Sequence, residues 1–302
     1  IEELIWNYGS SNKIFNKKLS YYLLKDESKL CALNGAAQIY PFINNKYSDS
    51  NVLIPNPTFG EYEKIFIKKD YYSDNGSFNF DEISKKILNN DIIVFVNPNN
   101  PTGTITKSEN IFELIKKYPK KLFIIDESFI DFSNTPSLSE MPNADLLENF
   151  IIIRSMSKSH GFPGVRIGYV YSNNLKMIKE INQSLPVWNF NSIAEYFLEI
   201  MLKYRNEFDK SIEKTISDRL EFSDLLKKQD WVERVFNSES DFILVETKAK
   251  IAELINELLE FHNIYIREIS NKFNDGKTYF RFAVRTGYEN KLVIEKISSL
   301  IN

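Results

Sequence analysis

The chain has 302 residues, 43% of them hydrophobic and 26% charged, with a formal net charge of -3. That length and apolar content can bury a sizeable core, read as one large domain with a smaller one attached. Both charge signs are interspersed and no apolar run is long enough to span a bilayer, so nucleic acid and membrane partners are disfavoured.

The segment Ile1-Glu2-Glu3-Leu4-Ile5-Trp6 has no initiator methionine, no positive lead and no small-residue cleavage site. It is therefore not a signal peptide and reads as a start partway along a longer protein. The division expected from the sequence is a truncated N-terminal arm over 1–29, a large domain over 30–207 and a small C-terminal domain over 208–302. The single cysteine, Cys31, allows no internal disulfide and reads as a buried side chain, so a cytoplasmic setting fits best.

Between about residues 50 and 172, short apolar runs alternate with amphipathic stretches, the pattern of strand-helix-strand units around a mostly parallel sheet with helices on both faces. Ile92-Ile93-Val94-Phe95-Val96, Leu122-Phe123-Ile124-Ile125, Ile151-Ile152-Ile153 and Ile167-Gly168-Tyr169-Val170 are short and rich in β-branched or aromatic residues, as doubly covered strands are. Thr106-Lys107-Ser108-Glu109 predicts a capping box, with Ile111, Leu114 and Ile115 forming the buried face of the crossover helix it opens. A long helix is expected over 208–228. Strands over 242–245, 264–266 and 279–284 then alternate with helices over 250–261 and 290–301, making a small α+β unit. With no repeat or flexible linker in view, the two lobes should share an extensive interface.

The first three apolar runs end in polar residues, where open α/β sheets place their ligands. Asn97-Pro98-Asn99-Asn100-Pro101-Thr102-Gly103 follows the first, Asp126-Glu127-Ser128-Phe129 the second, and Ser155-Met156-Ser157-Lys158-Ser159-His160-Gly161 the third, with Arg166 eight residues beyond Lys158. A hydroxyl-rich loop can hold a phosphate, and a nearby guanidinium helps keep an amine deprotonated and nucleophilic. Taken alone, Lys158 reads as a solvated loop lysine, and an Asn-Pro turn or an acidic strand end reads equally as structural punctuation.

In conjunction and in this order, the three segments resemble the fold-type I pyridoxal-phosphate enzymes, in particular the group containing histidinol-phosphate aminotransferase and threonine-phosphate decarboxylase. The resemblance runs from Tyr8 to the C-terminus. It implies an aspartate-aminotransferase-like, cofactor-binding large domain and makes Lys158 the Schiff-base lysine of pyridoxal 5'-phosphate. Asp126 should pair with the pyridinium nitrogen, keeping the ring an effective electron sink. Asn100 should hydrogen-bond the phenolic oxygen. Ser155, Ser157 and Arg166 should hold the phosphate, with backbone N–H groups at Gly35-Ala36-Ala37 where small residues admit an anion to a helix N-terminus.

Phe59, in Pro57-Thr58-Phe59-Gly60-Glu61-Tyr62, matches the aromatic that stacks on the pyridine ring, with an ordinary core phenylalanine as the alternative. Arg281 matches the arginine for the substrate α-carboxylate. Strand alternation would put Arg285 on the same face, suiting a second anionic group and hence a phosphorylated substrate; the alternative for Arg285 is a surface salt bridge. Tyr8, in Asn7-Tyr8-Gly9-Ser10, matches the tyrosine that reaches the neighbouring subunit's cofactor phosphate, although the family's Tyr-Pro-Asp is absent, and it implies a homodimer.

Phe129 stands where the family's aminotransferases generally carry tyrosine, as in the decarboxylase branch, and Pro186-Val187-Trp188-Asn189-Phe190-Asn191 at the start of a helix also looks closer to that branch. The expected function is an aminotransferase acting on a small amino acid or amine, phosphorylated ones included. Decarboxylation of a phosphorylated amino acid is the runner-up, and a cofactor-binding domain of a larger bifunctional chain a further alternative. His160 is assigned a loop-structural role, and His262 closes a helix whose dipole it complements. The two histidines and one cysteine form no zinc-ligand pattern, so no metal is expected.

Overall fold

Every residue of the run from Ile92 to Val96 is buried, and the period of two sends successive side chains into two different cores. Ile93 and Phe95 join Phe15, Leu19, Ile111, Ile115 and Leu198 on one face, while Ile92, Val94 and Val96 join Ile39, Ile43, Ile178 and Ile181 on the other. Each such aliphatic, fully buried, contributes roughly 1.5–3 kcal/mol. In this computed structural model, which describes residues 6, 8–248 and 250–301, those partners come from helices on both sides of one sheet. The rest of the expected N-terminal arm, residues 1–5 and Asn7, lies outside the described residues.

The sheet comprises β1 (Leu30–Leu33), β2 (Val52–Asn56), β3 (Lys69–Ser73), β4 (Ile92–Val96), β5 (Leu122–Asp126), β6 (Phe150–Ser155) and β7 (Gly168–Tyr171), in the order β1-β7-β6-β5-β4-β2-β3. The pairs from β3 through β6 are parallel, and β7 is antiparallel to both β6 and β1. Cys31 is fully buried in β1, which pushes its thiol up to about 12. The crossover helix Ser108–Lys117 buries Ile111, Leu114 and Ile115 as expected. It has no capping box, however: Lys107 is the N-cap, the Thr106 N–H donates to Asn97 Oδ1 at 2.9 Å, and the Ser108 hydroxyl donates to Pro136 O. The Thr106 N–H that the local motif requires is thus taken by a tertiary partner, and the Thr106 hydroxyl oxygen accepts from Asn110 Nδ2.

The helix Arg205–Leu226 leads to a second sheet of β8 (Val232–Val235), β9 (Phe242–Thr247), β10 (Arg267–Glu268) and β11 (Thr278–Ala283), ordered β10-β11-β9-β8 and antiparallel throughout. The helices Lys250–His262 and Gly287–Ile301 pack on it, around Phe222, Ile243, Val245, Phe280 and Ile297. His262 sits in the last turn of its helix, as expected.

The strand expected over 264–266 begins instead at Arg267. Asn263 turns left-handed at the helix end, and the Ile264 N–H is spent on Leu258 O, so pairing with β11 starts only afterwards. The lobes are joined through buried Arg219, which donates to Phe132 O and Ser240 O and pairs with Glu239, whose own N–H donates to Gly103 O.

Candidate functional site

Because β4, β5 and β6 are parallel, their carboxyl ends stand side by side, and the three polar segments that follow them meet. A cavity of about 160 Å³ lies there, lined by Asn100, Asp126, Ser155, Ser157, Lys158 and Arg166 together with Ala36, Ala37 and Phe59. Ser155 ends β6, and the short helix Met156–Ser159 that follows carries Lys158. The Lys158 Nζ lies 5.7 Å from the centre of the Phe129 ring and forms no ion pair among the described residues. Phe59 is 37% exposed, so it is a cavity wall and not a core residue.

Asp126, the last residue of β5, is 4% exposed and accepts from the Tyr62 hydroxyl at 2.9 Å and the Ser128 N–H at 3.0 Å. Burial nevertheless pushes its carboxyl up, as it does that of the neighbouring Glu127. Each of these two groups thus binds more protons in the folded chain than in the unfolded one at pH values between the ordinary carboxylate pKa and the raised one, so its contribution to stability is greatest below that window and falls as pH rises through it. Thermal unfolding of cofactor-free protein across the acidic range is expected to show this as a difference, the stability of the native chain relative to Asp126→Asn falling as pH rises. A difference that grows with pH over the same range would contradict the assignment.

On the opposite side of the lobe boundary, the Arg281 guanidinium lies 5.0 Å from the centre of the Phe242 ring and donates to Asn100 Oδ1 at 2.7 Å. A guanidinium only donates, so this contact fixes the amide with its Nδ2 hydrogens left for another acceptor. Burial lowers the Arg281 pKa.

The Ser157 hydroxyl is buried without a hydrogen-bond partner. Gly35, at φ +77°, precedes the turn Ala36–Gln38, whose first N–H groups have no partner inside it. A Cβ on Gly35 would lie 2.2 Å from Arg166 Nη2, and one on Gly168 2.4 Å from the Ala36 nitrogen. Glycine at these two positions keeps β7, Arg166 and the 36–38 turn in contact.

Two expected residues lie outside this cavity, which for Tyr8, expected at the neighbouring subunit's cofactor, is no departure. Tyr8 is 81% exposed and stacks on Trp188 at 5.1 Å. Arg285 lies beyond the end of β11 and pairs with Glu289 at 3.0 Å, so the shared face with Arg281 does not exist and the surface salt bridge does. The strand alternation ends after Val284, whose N–H still donates to Asp241 O in the register of β9; the Arg285 N–H is then spent on Asn290 Oδ1 at the start of the last helix.

The partner of Arg281 in the sheet is instead Arg267, directly opposite it in the antiparallel register of β10 and β11. Opposed residues share a face, and two like charges so placed repel unless an anion lies between them. The sequence could have shown this pair only with β10 placed three residues later. Also unforeseen are Tyr62, within the quoted Phe59 motif, and Asp241, whose acid is pushed up by burial against the pull of Lys158 and Arg281.

A family model described as aminotransferase class I and II matches residues 7–297. Histidinol-phosphate aminotransferase of Ruminiclostridium cellulolyticum is 26% identical over 296 residues, 93% of this chain and 80% of that one. L-serine phosphate decarboxylase of Campylobacter jejuni is 29% identical over 312 residues, 96% of this chain and 78% of that one. Among solved structures, the histidinol-phosphate aminotransferase of Clostridium acetobutylicum superimposes with a TM-score of 0.87 at 28% identity, covering 98% of this chain and 90% of that one.

Proposed function

Because the chain belongs to the aminotransferase class I and II family and its cofactor is pyridoxal phosphate, we propose that it decarboxylates a small phosphorylated amino acid. The residues present fit the cofactor. The unpartnered Ser157 hydroxyl, the 36–38 turn that glycine keeps open, and Arg166 form a donor set for a phosphate, with Ser155 beside them. Asp126 would face the ring nitrogen, Asn100 the phenolic oxygen and Phe59 the ring, while Lys158 would carry the group covalently through Nζ. When bound, pyridoxal phosphate supplies a sink for the electron pair left at the substrate α-carbon.

The observation that carries the reading is the Arg267–Arg281 pair. Two forks of donors on one face suit a dianionic phosphate better than a single carboxylate. If the pair takes the phosphate, the α-carboxylate is not held by Arg281 and can stand perpendicular to the ring, the geometry in which the bond to it breaks. Carbon dioxide then leaves, and Lys158 delivers a proton to the α-carbon. Phe129 lies beneath Lys158 without a hydroxyl, in keeping with the decarboxylase-like residues of the sequence.

This reverses the order the residues alone suggested. Amino transfer remains the second reading, favoured by the Arg281–Asn100 contact, which places one guanidinium for an α-carboxylate beside the cavity. A homodimer is part of the proposal, with exposed Tyr8, Val187 and Trp188 as its apolar surface.

The test follows carbon dioxide and keto product together with O-phosphoserine, O-phosphothreonine and histidinol phosphate as substrates. Carbon dioxide and the corresponding amine without keto product are expected from the first two, and keto product alone would establish amino transfer instead. In the same assay Arg267→Ala should raise KM for the phosphorylated substrate by about 30- to 100-fold, the loss of a charge-assisted contact. An unchanged KM removes the phosphate site from β10 and β11, and sedimentation as a monomer removes the dimer.

A further inference from the structure

We propose that Asp74 is a positioning residue, a buried carboxylate that sets the amide of Asn100 and with it the hydrogen bond to the cofactor's phenolic oxygen. It rests on the reading of Asn100 given above. Asp74 follows β3 and is fully buried, with its N–H donated to Asn56 O at the end of β2. No cation pairs with it among the described residues.

Its two oxygens collect four donors instead. Oδ2 accepts from Asn99 Nδ2 at 2.6 Å and the Thr102 hydroxyl at 2.5 Å, and Oδ1 accepts from the Thr104 hydroxyl at 2.8 Å and the Gly76 N–H at 3.0 Å. Three of these donors belong to the turn that carries Asn100. The turn is closed further by Asn99 N–H to Thr104 O and Gly103 N–H to Asn99 O, each at 2.7 Å. Asn100 and Pro101 therefore sit between two residues, Asn99 and Thr102, that one carboxylate grips. Asn99 Nδ2 also donates to Pro57 O at 2.9 Å, which ties the turn to the segment bearing Phe59.

An amide cannot replace this carboxylate. The two hydroxyls can rotate and accept, but Asn99 Nδ2 and the Gly76 N–H only donate, and they approach different oxygens of Asp74. Whichever way the amide of an Asp74→Asn variant is turned, one N–H donor meets another. The turn then relaxes, and Asn100 no longer presents Nδ2 while Arg281 holds its Oδ1.

Donation from Asn100 favours the more negative state of the phenolic oxygen, so its loss raises the pH at which the bound cofactor's visible absorption titrates. In Asp74→Asn holoenzyme this midpoint is expected to rise by about half to one pH unit, the equivalent of one hydrogen bond. Asn100→Ala should raise it as well, and the double variant should go no further than Asn100→Ala alone. Additive shifts, or an unmoved midpoint in Asp74→Asn where Asn100→Ala moves it, overturn the role of Asp74 and leave that of Asn100 standing. An unmoved midpoint in Asn100→Ala overturns both. Should Asp74→Asn fail to fold, Thr104→Val removes one donor and should give a smaller shift of the same sign; no shift there overturns the proposal.

Discussion

Lys158→Ala is expected to lower turnover by about 10⁴-fold or more, because on the proposed reading it removes both the nucleophile that carries the cofactor and the group that moves the proton at the α-carbon, and general acid-base catalysis alone is worth about 10²–10⁴. The structure leaves Lys158 well placed for both. It is exposed to the cavity, unpaired among the described residues, and supported below by Phe129. Lys158→Arg should fail almost as badly, since a guanidinium does not give up its proton in a protein. The cofactor should still bind to the alanine variant through the donors around Ser157 and Arg166, but without the visible absorption of covalently held pyridoxal phosphate. A Lys158→Ala variant that keeps that absorption would remove Lys158 from the assignment.

Asp126→Asn should produce the second large effect. Removing one partner of a buried, hydrogen-bonded charge pair costs about 2–5 kcal/mol, a fall in kcat of between about 30-fold and about 5,000-fold. The asparagine fits the same space and can still accept from Tyr62 or Ser128, so the fold should persist. What it lacks is the negative charge that keeps a ring nitrogen protonated. Burial makes that charge costly, which is why the acid is pushed up, and a cationic ring would reverse the balance. The expected signature is a loss in kcat larger than the rise in KM, together with weaker cofactor affinity by titration. Equal kcat in the two proteins would show that Asp126 does not face the ring.

The large sheet was legible because its strands are buried on both faces, so Ile92-Ile93-Val94-Phe95-Val96 and its neighbours read as uninterrupted apolar runs bounded by polar turns. The cavity residues followed, since a parallel sheet aligns the ends of its strands. The short segments at its edges were harder. β1 and β3 are four and five residues long, and the exposed, charged sequence of β3 carries little apolar signal.

The small lobe resisted for a different reason. Whether Arg267 or Arg285 shares a face with Arg281 depends on where two strands start and stop, and those limits are set by the bond from the Ile264 N–H to Leu258 O after the left-handed Asn263 and by the bond from the Arg285 N–H to Asn290 Oδ1, contacts that only the folded chain makes. Thr106 shows the converse, a sound local motif whose N–H is claimed by Asn97. Asp74 lay in an unremarked stretch after β3, because only the fold brings it to Asn99, Thr102 and Thr104.

All the residues lining the cavity fall between Ala36 and Arg166, and β7, which closes the sheet onto β1, ends at Tyr171. Arg267 and Arg281 come about a hundred residues later. A chain emerging from the ribosome therefore completes the cavity wall while the strands proposed to bind the substrate phosphate are still unmade, given that domains fold as units from the N-terminus during synthesis. On the proposed reading, the groups that would grip a cofactor and those that would choose a substrate are therefore made at different moments in the life of each molecule.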